Sequence, residues 1–185
     1  MPIMPNDSLL VMPSATHARS YQAAVAEGYL PDHGAPRLDG TPTALDAHLA
    51  WLNAQGGTVR LPDGREVQRT KHVQLWLIHA YTFIGRLNIR FRLTPDLERW
   101  GGHIGYAIRP SFQRRGFGTH LLGLGITTAR ASGLGGLLLT CTATNLASIR
   151  VIEANGGKLI GSEPHPWEPD AVARRYWIDQ QPGVD

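Results

Sequence analysis

The run GGHIGYAIRPSFQRRGFGTHLLGLG, residues 101–125, limits what this chain can fold into more than any other stretch. HIGYAIRP reads as a short strand ended by Pro110, and the segment 117–132 reads as a helix. Between them lies a loop of arginines and glycines, QRRGFG. After the helix comes LGGLLLTC, an apolar run with the length of a buried strand. Strand, helix and strand in succession favour a parallel crossover, with the helix packed over a sheet. Gly123 and Gly125 fall inside the helix, where each costs about 1 kcal/mol relative to alanine. They fit a helix that packs close to the sheet behind it.

The remaining elements are read around that unit. LLVMPS (9–14) is a short strand, and THARSYQAAVAEG a helix with Thr16 as cap and Gly28 at its end. YLPDHGAPRLDGTP is loop by its Pro, Gly and Asp content. TPTALDAHLAWLNAQGG is a second helix, with Thr43 ahead of Ala44, Leu45, His48, Leu49 and Leu52. VQLWLIHA and FIGRLNIRFRL form an antiparallel hairpin; the second alternates Leu87, Ile89, Phe91 and Leu93 against Arg86, Asn88, Arg90 and Arg92. NLASIRVIEANGG is a helix, and KLIGSE and VARRYWID are two closing strands. The order predicts an α/β (α+β) fold, with a mixed, mostly antiparallel sheet of six to seven strands and helices on both faces. One domain spans 1–185.

Composition removes several function classes. A net charge of +3 in 185 residues tolerates an anionic ligand but gives no nucleic-acid footprint. Cys141 is the only cysteine, so no internal disulfide and no zinc framework forms, and we expect no metal. No run of about 18 apolar residues offers a membrane span. MPIMPNDSLLVMPS lacks the basic lead of a signal peptide. These features predict a soluble protein of the cytoplasm, with no membrane partner.

The loop itself has the chemistry of an anion site. A helix start leaves four N–H groups without intrahelical partners, with the positive end of the dipole behind them. Gly116 and Gly118 remove the Cβ atoms that would keep a phosphate away, and Arg114 and Arg115 can add charge-assisted hydrogen bonds. A diphosphate suits this geometry, while a tight turn that merely uses glycines has the same sequence. The spacing is not G-x-G-x-x-G, since the third glycine falls at 123, and no G-K-[ST] follows.

Gln113-Arg114-Arg115-Gly116-Phe117-Gly118 resembles the Q/R-x-x-G-x-G/A signature of the GNAT superfamily of acetyl-CoA-dependent N-acetyltransferases. GGHIGYAIRPSFQRRGFGTHLL followed by CTATNLASIRVIEANGGKLIG is similar to the family's two central motifs in order and spacing, and RRYWID to the last strand of an uncharacterised bacterial subgroup. The resemblance is carried by about 102–178. It implies acetyl-CoA as co-substrate, with Ile108 pairing to pantetheine through its backbone and the amides of Gln113 to Gly118 on the pyrophosphate. Thr119 would stand on the first helical turn. Asn145 and Ser148 match N-x-x-[SA] and would reach the pantetheine arm; Asn145 is equally suited to capping the helix. Monomer and homodimer are both compatible with such a fold.

The implied reaction is direct attack of an amine of a small molecule or peptide on the thioester. An alkylamine of pKa near 10.4 must lose a proton first, at about 1.36 kcal/mol per unit below that value. His103 is the first candidate base, although a lone strand histidine also serves structure. Tyr106, alternating to the other face, either lines the acyl site or fills the core. The proton donor of the family, a tyrosine seven residues past the Asn, is replaced here by Ile152. That replacement raises an alternative, a catalytically silent acyl-CoA-binding sensor. Cys141 reads as a core residue. In such a fold the acceptor pocket would draw on the regions holding YLPDHG, Trp76, Trp100 and HPWEPD. Asp32, Glu168 or Asp170 can receive a cationic amine, while tryptophans that pack and acids that solvate loops have the same sequence.

Overall fold

The computed structural model describes residues 3–179. Seven strands form two antiparallel sheets. In the first, β1 (Leu9–Val11), β4 (His72–His79), β5 (Thr82–Arg90) and β6 (Ile104–Ile108) lie side by side in that order. In the second, β7 (Leu137–Thr142) and β8 (Lys158–Pro164) flank β9 (Val172–Ile178). The expected hairpin is the pair β4–β5, with Leu75 opposite Leu87 and His72 opposite Arg90.

The sheets meet where the sequence placed its crossover. The helix α4 (Phe117–Ala131) carries the chain from β6 to β7, but the two strands touch only at their starts. The His103 N–H donates to Leu138 O at 2.7 Å, and the Leu138 N–H returns to His103 Nδ1 at 2.9 Å. Gly102 makes this approach feasible: its φ is +61°, and a Cβ there would stand 2.3 Å from Leu138 O. Beyond that junction no ladder joins β6 to β7 among the described residues. The parallel pairing expected of 102–142 is thus reduced to a hinge point, and the rest of β6 has a free edge.

Each face of the first sheet carries its own core. Leu87, Ile89 and Ile104 pack against Leu121, Leu122 and Ile126 of α4 and against Ile149 and Ile152 of α5 (Leu146–Ala154). On the opposite face α1 (Ala18–Ala26) and α2 (Pro42–Asn53) cover an aromatic cluster, in which Tyr21 stacks on Trp76 with centroids 4.5 Å apart.

Helix starts differ from the expected ones. Thr41 caps α2, its hydroxyl accepting from the Ala44 N–H at 3.2 Å, with Pro42 at the first helical position. The segment from Thr16 starts in a 3₁₀ turn, Ala15–His17, and α1 begins only at Ala18. Two elements have no counterpart in the sequence reading: a small hairpin of β2 (Thr58–Arg60) with β3 (Glu66–Gln68), and a one-turn helix α3 (Pro95–Arg99). No helix among the described residues is long and apolar enough to cross a membrane.

Candidate active site

The arginine–glycine loop begins where β6 ends. Pro110–Phe112 make a 3₁₀ turn, and the Gln113 side chain donates back to the Ile108 carbonyl at 3.1 Å. Arg114 then takes φ +58° and Gly116 φ +82°, both left-handed. Left-handed residues in a tight turn can direct neighbouring N–H groups to one side, the geometry of an anion-binding concavity. Gly116 is also the N-cap of α4 and offers no side-chain cap. The amides of Phe117, Gly118 and Thr119 therefore find no acceptor among the described residues, at the positive end of a 15-residue helix.

The side chains of the loop divide the work. Arg114 is exposed and makes no hydrogen bond among the described residues. Arg115 folds back over Phe112 and Phe117, its Nη2 donating to Ile3 O at 3.3 Å. Phe117 is a core residue, so only its amide belongs to the loop. A Cβ on Gly118 would stand 3.1 Å from Val151 Cγ2, so this glycine brings α4 against α5. Thr119 sits on the first turn, half-buried, its carbonyl accepting from Asn155 Nδ2 at 3.2 Å.

The free edge of β6 leads away from this loop. Arg109 N–H bonds Ile84 O and Arg90 N–H bonds His103 O, both at 2.8 Å. Alternation along an antiparallel pair then directs the backbone groups of Gly105 and Ala107 to β5, and those of Tyr106 and Ile108 to the opposite side. That side is the gap between β6 and β7. The strand's five residues span about 16 Å.

Tyr106 projects into the core face beside α5, where its hydroxyl donates to Ser148 O at 3.4 Å. Burial pushes its pKa up to about 12. Asn145 caps α5, its Oδ1 accepting from the Ser148 N–H at 3.0 Å. Tyr106 thus meets Ser148 on the helix that Asn145 caps, and Gln113 folds back onto Ile108 where the loop leaves β6. His103 stands apart, five residues before Ile108 at the closed end. Its Nδ1 lone pair is taken by the Leu138 amide, and burial lowers its pKa. Ile152, 1% exposed, is packed in the core.

A cavity of about 240 Å³ opens on the other face of the sheet, toward α2 and the β2–β3 hairpin. Its floor is the polar face of the β4–β5 pair, the positions that alternate with Leu87 and Ile89: Asn88 and Arg90, with His72 opposite. Trp51, Trp100 and Trp167 form walls. Trp76 lies in the aromatic core, and Glu168 and Asp170 are exposed on their loop, so none of these three lines it. Asp32 does line it, yet it is already held by Arg86 and by Gln74 Nε2 at 2.6 Å. The sequence reading took Arg86, Asn88 and Arg90 only as the polar half of an alternating strand. In the partner strand His72 and Gln74 alternate in the same way against Val73 and Leu75, which places them on the same face without showing that the face is enclosed.

A family model described as Acetyltransferase (GNAT) domain matches residues 9–158. The chain belongs to the GNAT acetyltransferase family. Among solved structures it is similar to Mycobacterium smegmatis RimJ in complex with CoA-disulfide (TM-score 0.63, 19% identity, 93% of this chain and 81% of that one). It is also similar to Salmonella typhimurium yncA with its cofactor acetyl-CoA (TM-score 0.60, 16% identity, 97% and 98%). A third is the ribosomal-protein-S5-alanine acetyltransferase of Vibrio fischeri (TM-score 0.62, 13% identity, 94% and 93%). At these identities the likeness is one of fold. No curated protein matches the chain by sequence. Family membership makes the chain an acyltransferase of the GNAT kind, and its antiparallel sheets with flanking helices match that fold.

Proposed function

We propose that this GNAT acetyltransferase moves an acetyl group from acetyl-CoA to a primary amine of a small molecule or peptide, by direct attack within a ternary complex. The observation that carries the reading is the set of partnerless amides of Phe117, Gly118 and Thr119 at the mouth of the β6–β7 gap. They suit the pyrophosphate, with Arg114 adding charge; the Ile108 and Tyr106 backbone suits the amide groups of the pantetheine arm. Asn145 keeps its Nδ2 for the same arm while its Oδ1 caps α5. The bound co-substrate supplies an activated acyl group as a thioester.

The chain's own contribution is to bind, orient and handle protons. A free backbone N–H on the β6 edge, at Tyr106 or Ile108, is placed to donate to the negative charge that develops on the acyl oxygen. The Tyr106 hydroxyl, protonated throughout the neutral range, is the proton donor we assign to the departing sulfur. It leans on α5, the helix on which the family's tyrosine position is occupied by Ile152. We assign His103 to holding the β6–β7 junction rather than to the base, because its Nδ1 is engaged at the closed end.

Ile152 in the core favours one second reading, a sensor that binds acyl-CoA and turns nothing over. Thermal unfolding with acetyl-CoA, run beside an assay for free CoA thiol across a panel of amines, separates the two. Stabilisation with thiol release supports the enzyme, and stabilisation without release on any amine supports the sensor. An unchanged Tm would remove both. Gly116→Trp should abolish the stabilisation, since a bulky left-handed residue fills the cradle.

A further inference from the structure

The cavity beyond β6 has a charge balance that does not suit a plain cationic amine. Four arginines and two aspartates decide it. Asp32 is matched by Arg86, and Asp96 on the rim by Arg65. Arg69 and Arg90 line the same cavity and have no carboxylate partner among the described residues. Two guanidiniums are therefore in excess.

Both are fixed in place by neutral groups. Arg90 Nη1 donates to Gly101 O at 3.2 Å and Gly102 O at 3.1 Å, leaving Nε and Nη2 without a partner among the described residues. Arg69 Nη1 donates to Trp51 O at 3.0 Å and Nη2 to His72 Nε2 at 2.7 Å, and the guanidinium lies 4.0 Å over the Trp51 ring. His72 gives its Nδ1 proton to Thr70 O at 2.9 Å, so the neutral ring is an acceptor for Arg69 and not a counter-charge. Burial, with Arg86 and Arg69 nearby, draws Arg90 down to about 10. It stays charged at neutral pH in surroundings that disfavour the charge, and an anion beside it would relieve that cost.

Position ties the excess charge to the acyl site. A Cβ on Gly105 would lie 3.7 Å from both Nη1 and Nη2 of Arg90. The guanidinium thus sits over the middle of β6, against the strand whose other edge lines the gap. Gly105, lacking a side chain, leaves this space open.

We infer that the acceptor is an amine that carries a carboxylate, a free amino acid in class, with the carboxylate held by Arg90 and Arg69 and the apolar part against Trp51 and Trp100. This rests on the acetyltransferase reading for the amine, but the pocket can be tested without turnover. The tryptophans in its wall report binding by fluorescence. Each of the twenty amino acids is titrated beside its α-amide, with a tripeptide amide bearing a free N-terminus as the other class of acceptor. At least one acid should bind about 10- to 100-fold tighter than its amide, the loss expected for one charge-assisted bond. Arg90→Gln and, separately, Arg69→Gln should erase that preference while acetyl-CoA still raises the Tm. Two variants guard against one that fails to fold. If every amide binds as well as its acid, or the peptide amide binds best, the inference is overturned. Transfer to uncharged amines with no acid preference would overturn it alone and leave the acetyltransferase standing. An acid preference with no thiol release would leave the pocket and remove the enzyme.

Discussion

Leu87 on β5 holds both of its methyl carbons 2.8 Å from the point where a Cβ on Gly125 of α4 would stand. Leu87 is fully buried, so the helix rides on the sheet at a separation that only a hydrogen at position 125 allows. Gly123 faces elsewhere, its nearest obstacle being the Asn155 Oδ1 at 3.2 Å. Gly125→Ala should lose about 1–3 kcal/mol by overpacking, less about 1 kcal/mol regained in helix propensity. Gly123→Ala, with only a polar side-chain end to displace, should be near neutral. Urea midpoints of the two variants check this. A larger loss at 123 than at 125 would contradict the close approach.

His103 should behave as part of the frame. His103→Ala deprives the buried Leu138 N–H of its acceptor, at about 1–3 kcal/mol. The folded-state pKa lies below the ordinary 6.5. The native contribution is therefore fully present above that value and fades as pH falls through the lowered one. Denaturant titrations at pH 7.5 and 5 should show wild type losing this increment and the alanine variant not. The pH–rate profile of the variant should keep its shape; loss of the profile's acidic limb in the variant would restore His103 as the base.

Much of this was legible in the sequence, for physical reasons that also mark where legibility stopped. Gln113 to Gly118 could be read because its requirement is local: left-handed residues and glycines at a helix start. Asn145 could be read as a cap for the same reason. The cavity could not, because its floor is assembled across a strand pair, with His72 facing Arg90 and Gln74 facing Asn88. Alternation reveals which residues share a face but not whether that face meets water or a hairpin. Here the β2–β3 hairpin, too short and too polar to stand out, supplies Val59 and Val67 as a wall. Asp32 stands out in the sequence as a loop carboxylate, but its place on the cavity and its neutralisation by Arg86 depend on contacts between residues far apart in sequence.

Arg114 lets charge and conformation be separated. Its φ of +58° costs about 1–2 kcal/mol for a residue with a Cβ. Arg114→Gly relieves that strain but adds about 0.4–1 kcal/mol of chain entropy to the unfolded state. The glycine variant should thus exceed Arg114→Ala in stability by about 0.5–1 kcal/mol. Both should lose the same few-fold affinity for acetyl-CoA, since both lack the guanidinium. Thermal unfolding with and without acetyl-CoA measures the two effects together, and an alanine variant as stable as the glycine one would deny the left-handed geometry.

Tyr106 has the most direct consequence for the reaction. Tyr106→Phe keeps the ring against the core and removes a hydroxyl whose one contact, to Ser148 O, is long at 3.4 Å. Stability at pH 8 should change by less than about 1 kcal/mol. Turnover should fall about 10²-fold, the low end for a lost general acid. Alkaline pH supplies a second readout. Burial raises the folded-state pKa from 10.0 to about 12, so the stability linked to the protonated hydroxyl is fully present below 10 and is lost as pH rises through 12. Wild type should therefore weaken more than Tyr106→Phe between pH 10 and 12 in urea titrations. A phenylalanine variant with undiminished turnover, yet with this alkaline difference, would leave Tyr106 a packed residue and move the proton donor elsewhere on the β6 edge.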